Sequence, residues 1–128
     1  MPSEQQLKKW REYNKRKDRN IYLKKYRRGK GTFHRLSRQA NYLYKNGTLT
    51  SFDLWKIAKK QKLKCALSGV KLTCDNASLD HLISKSRGGV NIPSNVRLVI
   101  KEINIARQIM TDEQFISMCQ NVVKFNNL

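Results

Sequence analysis

The chain has 128 residues, 27 of them Lys or Arg against 9 acids, for a formal net charge of +18. Such a length allows one domain with a modest core, or a small domain carrying an arm. Self-repulsion at this charge costs stability, so the imbalance points to a polyanionic partner whose binding releases condensed counterions. No apolar run is long enough to span a bilayer, and no basic helix with a strong apolar face suggests a membrane-surface protein. The first residues, Met1 to Gln6, lack the apolar core of a signal peptide, so an intracellular location is expected. Cys65, Cys74 and Cys119 are odd in number and unevenly spaced. They make no disulfide framework and are expected to be buried free thiols.

More than half of the positive excess falls in residues 1–35. Residues 1–32 therefore read as a basic DNA-binding arm. Trp10, Tyr13, Tyr22 and Tyr26 are interleaved there with basic residues that include Arg16, Lys17, Arg27 and Arg28. Helix formers dominate without a clean 3.6-residue period, which predicts one long helix, broken near Asn20 and only partly ordered without DNA. Its aromatics either stack on bases and sugars or dock the arm onto the domain.

Residues 33–62 read as a helical pair supporting a core. In the first helix Phe33, Leu36, Ala40, Leu43 and Tyr44 recur at helical spacing, with Asn46-Gly47 as the expected C-cap. His34 lies in it among basic residues and reads as a surface or DNA-facing histidine. The second helix has Thr50 or Ser51 as its cap and Asp53 in its first turn. Phe52, Trp55 and Ile57-Ala58 give it an apolar side.

Residues 63–128 read differently. Cys65 to Leu72 looks like a turn between short extended pieces. Ala77 to Ile83 reads as a strand, 83–94 as a loop holding Gly88-Gly89 and Pro93, and Val96 to Ile100 as a second strand. A short helix from Glu102 to Gln108 follows. Thr111 and Gln114 form a capping box for a last helix. Its apolar stripe of Phe115, Ile116, Met118, Cys119, Val122 and Val123 is expected to be core. The predicted class is α+β, mostly helical.

Asp80-His81, Asn95 and Asn104 carry the chemistry. Hydrolysis of a phosphodiester needs a group that titrates near neutrality to take a proton from water, and His81 suits that. It also needs neutralisation of growing charge on the phosphate oxygens, which a hard divalent cation held by few protein oxygens provides. Asp80 supplies a carboxylate and Asn104 a carbonyl. Neighbours on a regular strand point to opposite faces, so Asp80 and His81 can share a site only if the strand ends, twists or bulges there.

The stretch from Cys65 to about Val123 resembles the HNH endonucleases, such as phage homing and packaging nucleases, and the HNH cleavage domain of CRISPR effector nucleases. The likeness rests on Cys65-Ala66-Leu67-Ser68-Gly69, Leu79-Asp80-His81, Ser86-Arg87-Gly88-Gly89, Asn95-Val96-Arg97-Leu98-Val99 and Ile103-Asn104, in that order and spacing. It implies a ββα-metal core of two antiparallel strands and a helix around one cation. It implies His81 as the general base, Asp80 and Asn104 as metal ligands, and Asn95 as the residue that fastens the loop and helps orient the histidine. Many relatives carry two Cys-x-x-Cys pairs for a structural zinc. Here the first is reduced to Cys65-Ala66-Leu67-Ser68 and the second is missing, so no structural zinc is expected. The oxygen-rich ligand set favours one Mg²⁺ or Mn²⁺ per active site. The strand bearing Asp80 and His81 is then expected to be braced by packing from the Trp55 helix and the C-terminal helix.

Lys85 and Arg87, on the glycine loop, either clamp a phosphate or are solvated. Arg97 faces either DNA or solvent. The expected partner is double-stranded DNA, bound mostly through phosphates by a monomer or homodimer, with other phage DNA-processing proteins as further candidates. The expected activity is metal-dependent DNA cleavage, by nicking or by double-strand scission. The rival readings are a non-catalytic nucleic-acid binder and an RNA-binding structural protein.

Overall fold

Two short strands form the sheet, the second of them rich in β-branched residues, Val96, Val99 and Ile100. β1 (Ala77–His81) and β2 (Val96–Ile100) pair antiparallel in continuous register, from Ala77 opposite Ile100 to His81 opposite Val96. The computed structural model describes residues 1–26 and 31–127, except for the side chains of 20–26. Among them the sheet is joined by α1 (Glu4–Tyr26), α2 (Thr32–Leu43), α3 (Ser51–Lys60), α4 (Lys101–Arg107) and α5 (Asp112–Phe125). The fold is α+β, with a small two-strand core and helices around it.

Local signals explain most boundaries. Thr50 caps α3 in a reciprocal capping box with Asp53, and Thr111 caps α5 in the same way with Gln114. α2 ends at Leu43, before the expected Asn46-Gly47 cap. Gly47 has another role. Its φ is +109°, and a Cβ there would lie 2.5 Å from the Asn91 carbonyl oxygen, so only glycine lets the two loops close. Gly89 is tighter still, because a Cβ would collide with the Ile83 carbonyl.

The core joins both layers. Leu36 and Ala40 of α2, Leu54 and Ala58 of α3, Leu49 between them, and Val96, Leu98 and Val99 of β2 are buried together. Each large side chain among them contributes about 1.5–3 kcal/mol by leaving water. Trp55 is buried too, as expected for core. The outer edge of β2 is covered by a side chain. Gln61 accepts from Leu98 N at 3.0 Å and donates to Leu98 O at 2.9 Å, as a neighbouring strand would. The 65–70 turn is closed by Cys65 N to Val70 O at 2.7 Å, and Ile100 N donates to the Cys65 sulfur at 3.4 Å.

Three expectations need correction. α1 runs through Asn20 without a break, and Trp10 and Tyr13 are exposed on it. Cys65 alone of the three thiols is buried; Cys74 and Cys119 are exposed. The α5 stripe is not core. Phe115 is buried, but Ile116, Met118, Val122, Val123 and Phe125 are exposed. Helical periodicity reports an apolar face, not whether anything covers it.

Candidate active site

Among the described residues β1 pairs with β2 along one edge and with no strand along the other. Beside β1 runs a cavity of about 310 Å³, lined by Ser78, Leu79, Asp80 and His81 of β1, by Leu36 to Tyr44 residues on the α2 side, and by Asn104, Arg107 and Gln108 on the α4 side. Asp80 and His81 need no bulge to share it: the register is continuous, β1 ends at His81, and both residues line the cavity. The structure thus brings His81, Asp80 and Asn104 to one cavity.

His81 is half-buried. Its ring stacks on Tyr44 with centroids 3.9 Å apart and planes 10° from parallel. Its Nε2 lies 2.9 Å from Asn91 Oδ1. Burial pushes the imidazole below its ordinary value of 6.5, and the Asn91 hydrogen bond and the Asp80 charge only partly offset this. Burial thus favours the uncharged imidazole, the form a base needs. Burial also raises the Tyr44 phenol, so the stacking partner stays uncharged.

Asn95 is buried and, among the described residues, makes no hydrogen bond to the His81 ring. Its Nδ2 donates to Ile83 O at 3.1 Å and Val90 O at 2.8 Å, and its Oδ1 accepts from Ile83 N at 2.9 Å. It clamps both ends of the 83–90 loop. The amide that meets the histidine is Asn91, fully buried and itself held by Asn41 Oδ1, 2.8 Å from Asn91 Nδ2.

Asp80 is only 3% exposed. Arg97 Nε donates to its Oδ2 at 2.8 Å, and Arg107 Nη2 donates to its Oδ1. Arg97 also donates through Nη1 and Nη2 to Asp112, at 2.8 and 2.6 Å. These bonds, the Asp112 one foremost, raise the Arg97 guanidinium above its ordinary value. Arg97, expected to face DNA or solvent, is instead half-buried and paired with two carboxylates. The reason is register: it stands opposite Asp80, where the cross-strand pair is strongest.

Asn104 donates from Nδ2 to Ser78 Oγ at 2.7 Å and Leu79 O at 3.3 Å. Among the described residues its Oδ1 accepts no hydrogen bond, and it is not sealed from solvent. An oriented amide oxygen and a carboxylate on one cavity fit a hard divalent cation in donor chemistry. Arg107 competes for the same place, since its guanidinium holds Asp80 Oδ1, while its own Nε is buried and has no hydrogen-bond partner among the described residues. Among the described residues no three His, Cys, Asp or Glu side chains cluster as metal ligands.

The remaining candidates are scattered. Lys85 ties the loop to α2, Nζ donating to Leu43 O at 2.7 Å. Arg87 is exposed on a neighbouring cavity of about 220 Å³ that His81 also lines. Arg16 and Lys17 are exposed on α1, and Arg27 and Arg28 lie outside the described residues.

Sequence reasoning missed Asn91, Asn41, Tyr44 and Arg107. Only Arg107 had a local sign: three residues after Asn104 on one helix, it shares that face.

No family model matches the chain, and no curated protein matches it significantly. Among solved structures, the Type II-C Cas9 enzyme from Actinomyces naeslundii is weakly similar, with a TM-score of 0.48 and 16% sequence identity over 91% of this chain. The chain spans 11% of that protein's length.

Proposed function

We propose that this protein is a metal-dependent DNA endonuclease of the HNH type, hydrolysing phosphodiester bonds. The observation that carries the reading is the convergence of His81, Asp80 and Asn104 on one cavity, with the Asn104 carbonyl accepting no hydrogen bond among the described residues. In this reading His81 takes the proton from the attacking water. Asp80 and Asn104 would hold Mg²⁺ or Mn²⁺, which would require Arg107 to give up its bond to Asp80. When bound, such a cation neutralises charge building on the phosphate oxygens. Asn95 keeps the 83–90 loop closed against β1. Arg87 holds a phosphate beside the cavity, and the basic face of α1 supplies salt-sensitive affinity. Residues 1–32, 33–62 and 63–128 then act as DNA-binding arm, supporting helices and nuclease core.

One observation favours the rival, a non-catalytic nucleic-acid binder: both Asp80 oxygens carry guanidinium groups. Supercoiled plasmid incubated with Mg²⁺ or Mn²⁺ separates the two. The endonuclease reading requires relaxation or linearisation that His81→Ala abolishes. Salt-sensitive binding without cleavage in either metal supports the binder.

A further inference from the structure

We propose that Asn41, on α2, is a positioning residue for His81: acting through Asn91, it fixes the imidazole in the tautomer protonated on Nε2, with Nδ1 left as the lone pair facing the cavity. The chain of amides has one fixed end. Asn41 Nδ2 donates to Leu49 O at 2.7 Å, and Leu49 N donates to Asn41 Oδ1 at 2.8 Å. A backbone N–H only donates and a backbone carbonyl only accepts, so Leu49 leaves Asn41 a single orientation. Its Oδ1 is then the acceptor offered to Asn91, which must present Nδ2. Asn91 is left with Oδ1 toward His81, and an amide oxygen cannot donate. The ring nitrogen against it carries the proton.

Nothing around the chain loosens it. Asn91 is fully buried, its backbone N–H is held by Asn46 O at 2.7 Å, and Gly47 packs on its carbonyl. Tyr44, also following α2, stacks on the imidazole and restricts its plane. Nδ1 carries no hydrogen bond among the described residues and is not sealed from solvent. A second helix, outside the two strands and the loop, thereby sets which nitrogen meets water.

The proposal rests on the nuclease reading only for its effect on rate; the tautomer itself is read without any activity. The experiment is ¹⁵N-resolved NMR of the full-length protein at about pH 8, above the range where imidazoles ordinarily titrate. Wild type should show His81 in one form, protonated on Nε2. Asn41→Leu removes the acceptor that orients Asn91 and should give a mixture of tautomers. Asn41→Asp keeps that acceptor while losing the donor to Leu49 O, so it should lose stability yet keep the wild-type tautomer. Single-turnover cleavage should fall on the order of tenfold in Asn41→Leu with DNA affinity unchanged, and return largely in Asn41→Asp. A wild-type His81 protonated on Nδ1 overturns the proposal whether or not the variants fold. So does a folded Asn41→Leu protein with the wild-type tautomer. A wild type with the expected tautomer but no cleavage would sink the nuclease reading and leave this one standing.

Discussion

Asp80 and Arg97 stand directly opposite each other across the two-stranded sheet, and Arg97 Nε donates to Asp80 Oδ2 at 2.8 Å. The same guanidinium reaches on to Asp112 at the start of α5, so one arginine links β1, β2 and the C-terminal helix. Its side chain is 14% exposed and that of Asp80 3%. Removing one partner of a buried ion pair leaves the other charge uncompensated.

Arg97→Leu should therefore destabilise the fold by about 3 kcal/mol, measured by urea denaturation. DNA affinity of the folded fraction, and its dependence on salt, should hardly change. A lowered salt slope without loss of stability would return Arg97 to the DNA-contacting surface.

Arg107 has the opposite relation to a cation. Its guanidinium lies on Asp80 Oδ1, beside the Asn104 amide. Arg107→Gln removes a positive charge from that place and should tighten Mn²⁺ binding on the order of tenfold, a modest part of the Coulomb term between near charges in a partly polar site. Calorimetric titration of Mn²⁺ into both proteins checks it, and equal affinities would contradict a cation site there.

The Arg97 hydrogen bond holds the Asp112 carboxyl below its ordinary value of 3.8. A carboxyl depressed in the folded state adds stability that is fully present above its unfolded value and is lost as pH falls through the folded one. Thermal stability should fall below about pH 4, and Asp112→Asn should flatten part of that fall. Asp112 is 36% exposed, so screening keeps the effect small.

α5 divides into two parts. Phe115→Ala removes a buried ring and should cost about 3 kcal/mol. Val122→Ser or Phe125→Ser, at exposed positions, should cost less than about 0.5 kcal/mol. Similar losses for all three by denaturation would mean that the stripe is covered in solution.

These contrasts show how much the sequence disclosed. Thr50 with Asp53, and Thr111 with Gln114, marked two helix starts because capping is a local exchange between residues three apart. β2 was legible to the residue because its branched side chains end against a helix former, Lys101. Asp80, His81 and Asn104 could be grouped from the sequence because they fall on or beside the two strands and the helix after them, and all three line one cavity. The partners of His81 were not. Asn91 lies ten residues away and Asn41 forty, and hydrogen bonds between loops leave no period in the sequence. Arg97 was misread because alternation tells which face a side chain takes, not what charge waits across the sheet. The α5 stripe was misread because burial depends on tertiary neighbours.

The proposed role of His81 is to activate water at a cation held beside Asp80 and Asn104. Its most direct measurement is single-turnover cleavage of an end-labelled DNA duplex by wild type and His81→Ala, with Mg²⁺ or Mn²⁺ supplied and then chelated. Wild type should show metal-dependent cleavage, with 5′-phosphate and 3′-hydroxyl ends, and His81→Ala a loss of about 10² to 10⁴ in rate at unchanged DNA affinity. Equal cleavage by the two proteins, or none by wild type in either metal while the duplex stays bound, would contradict it.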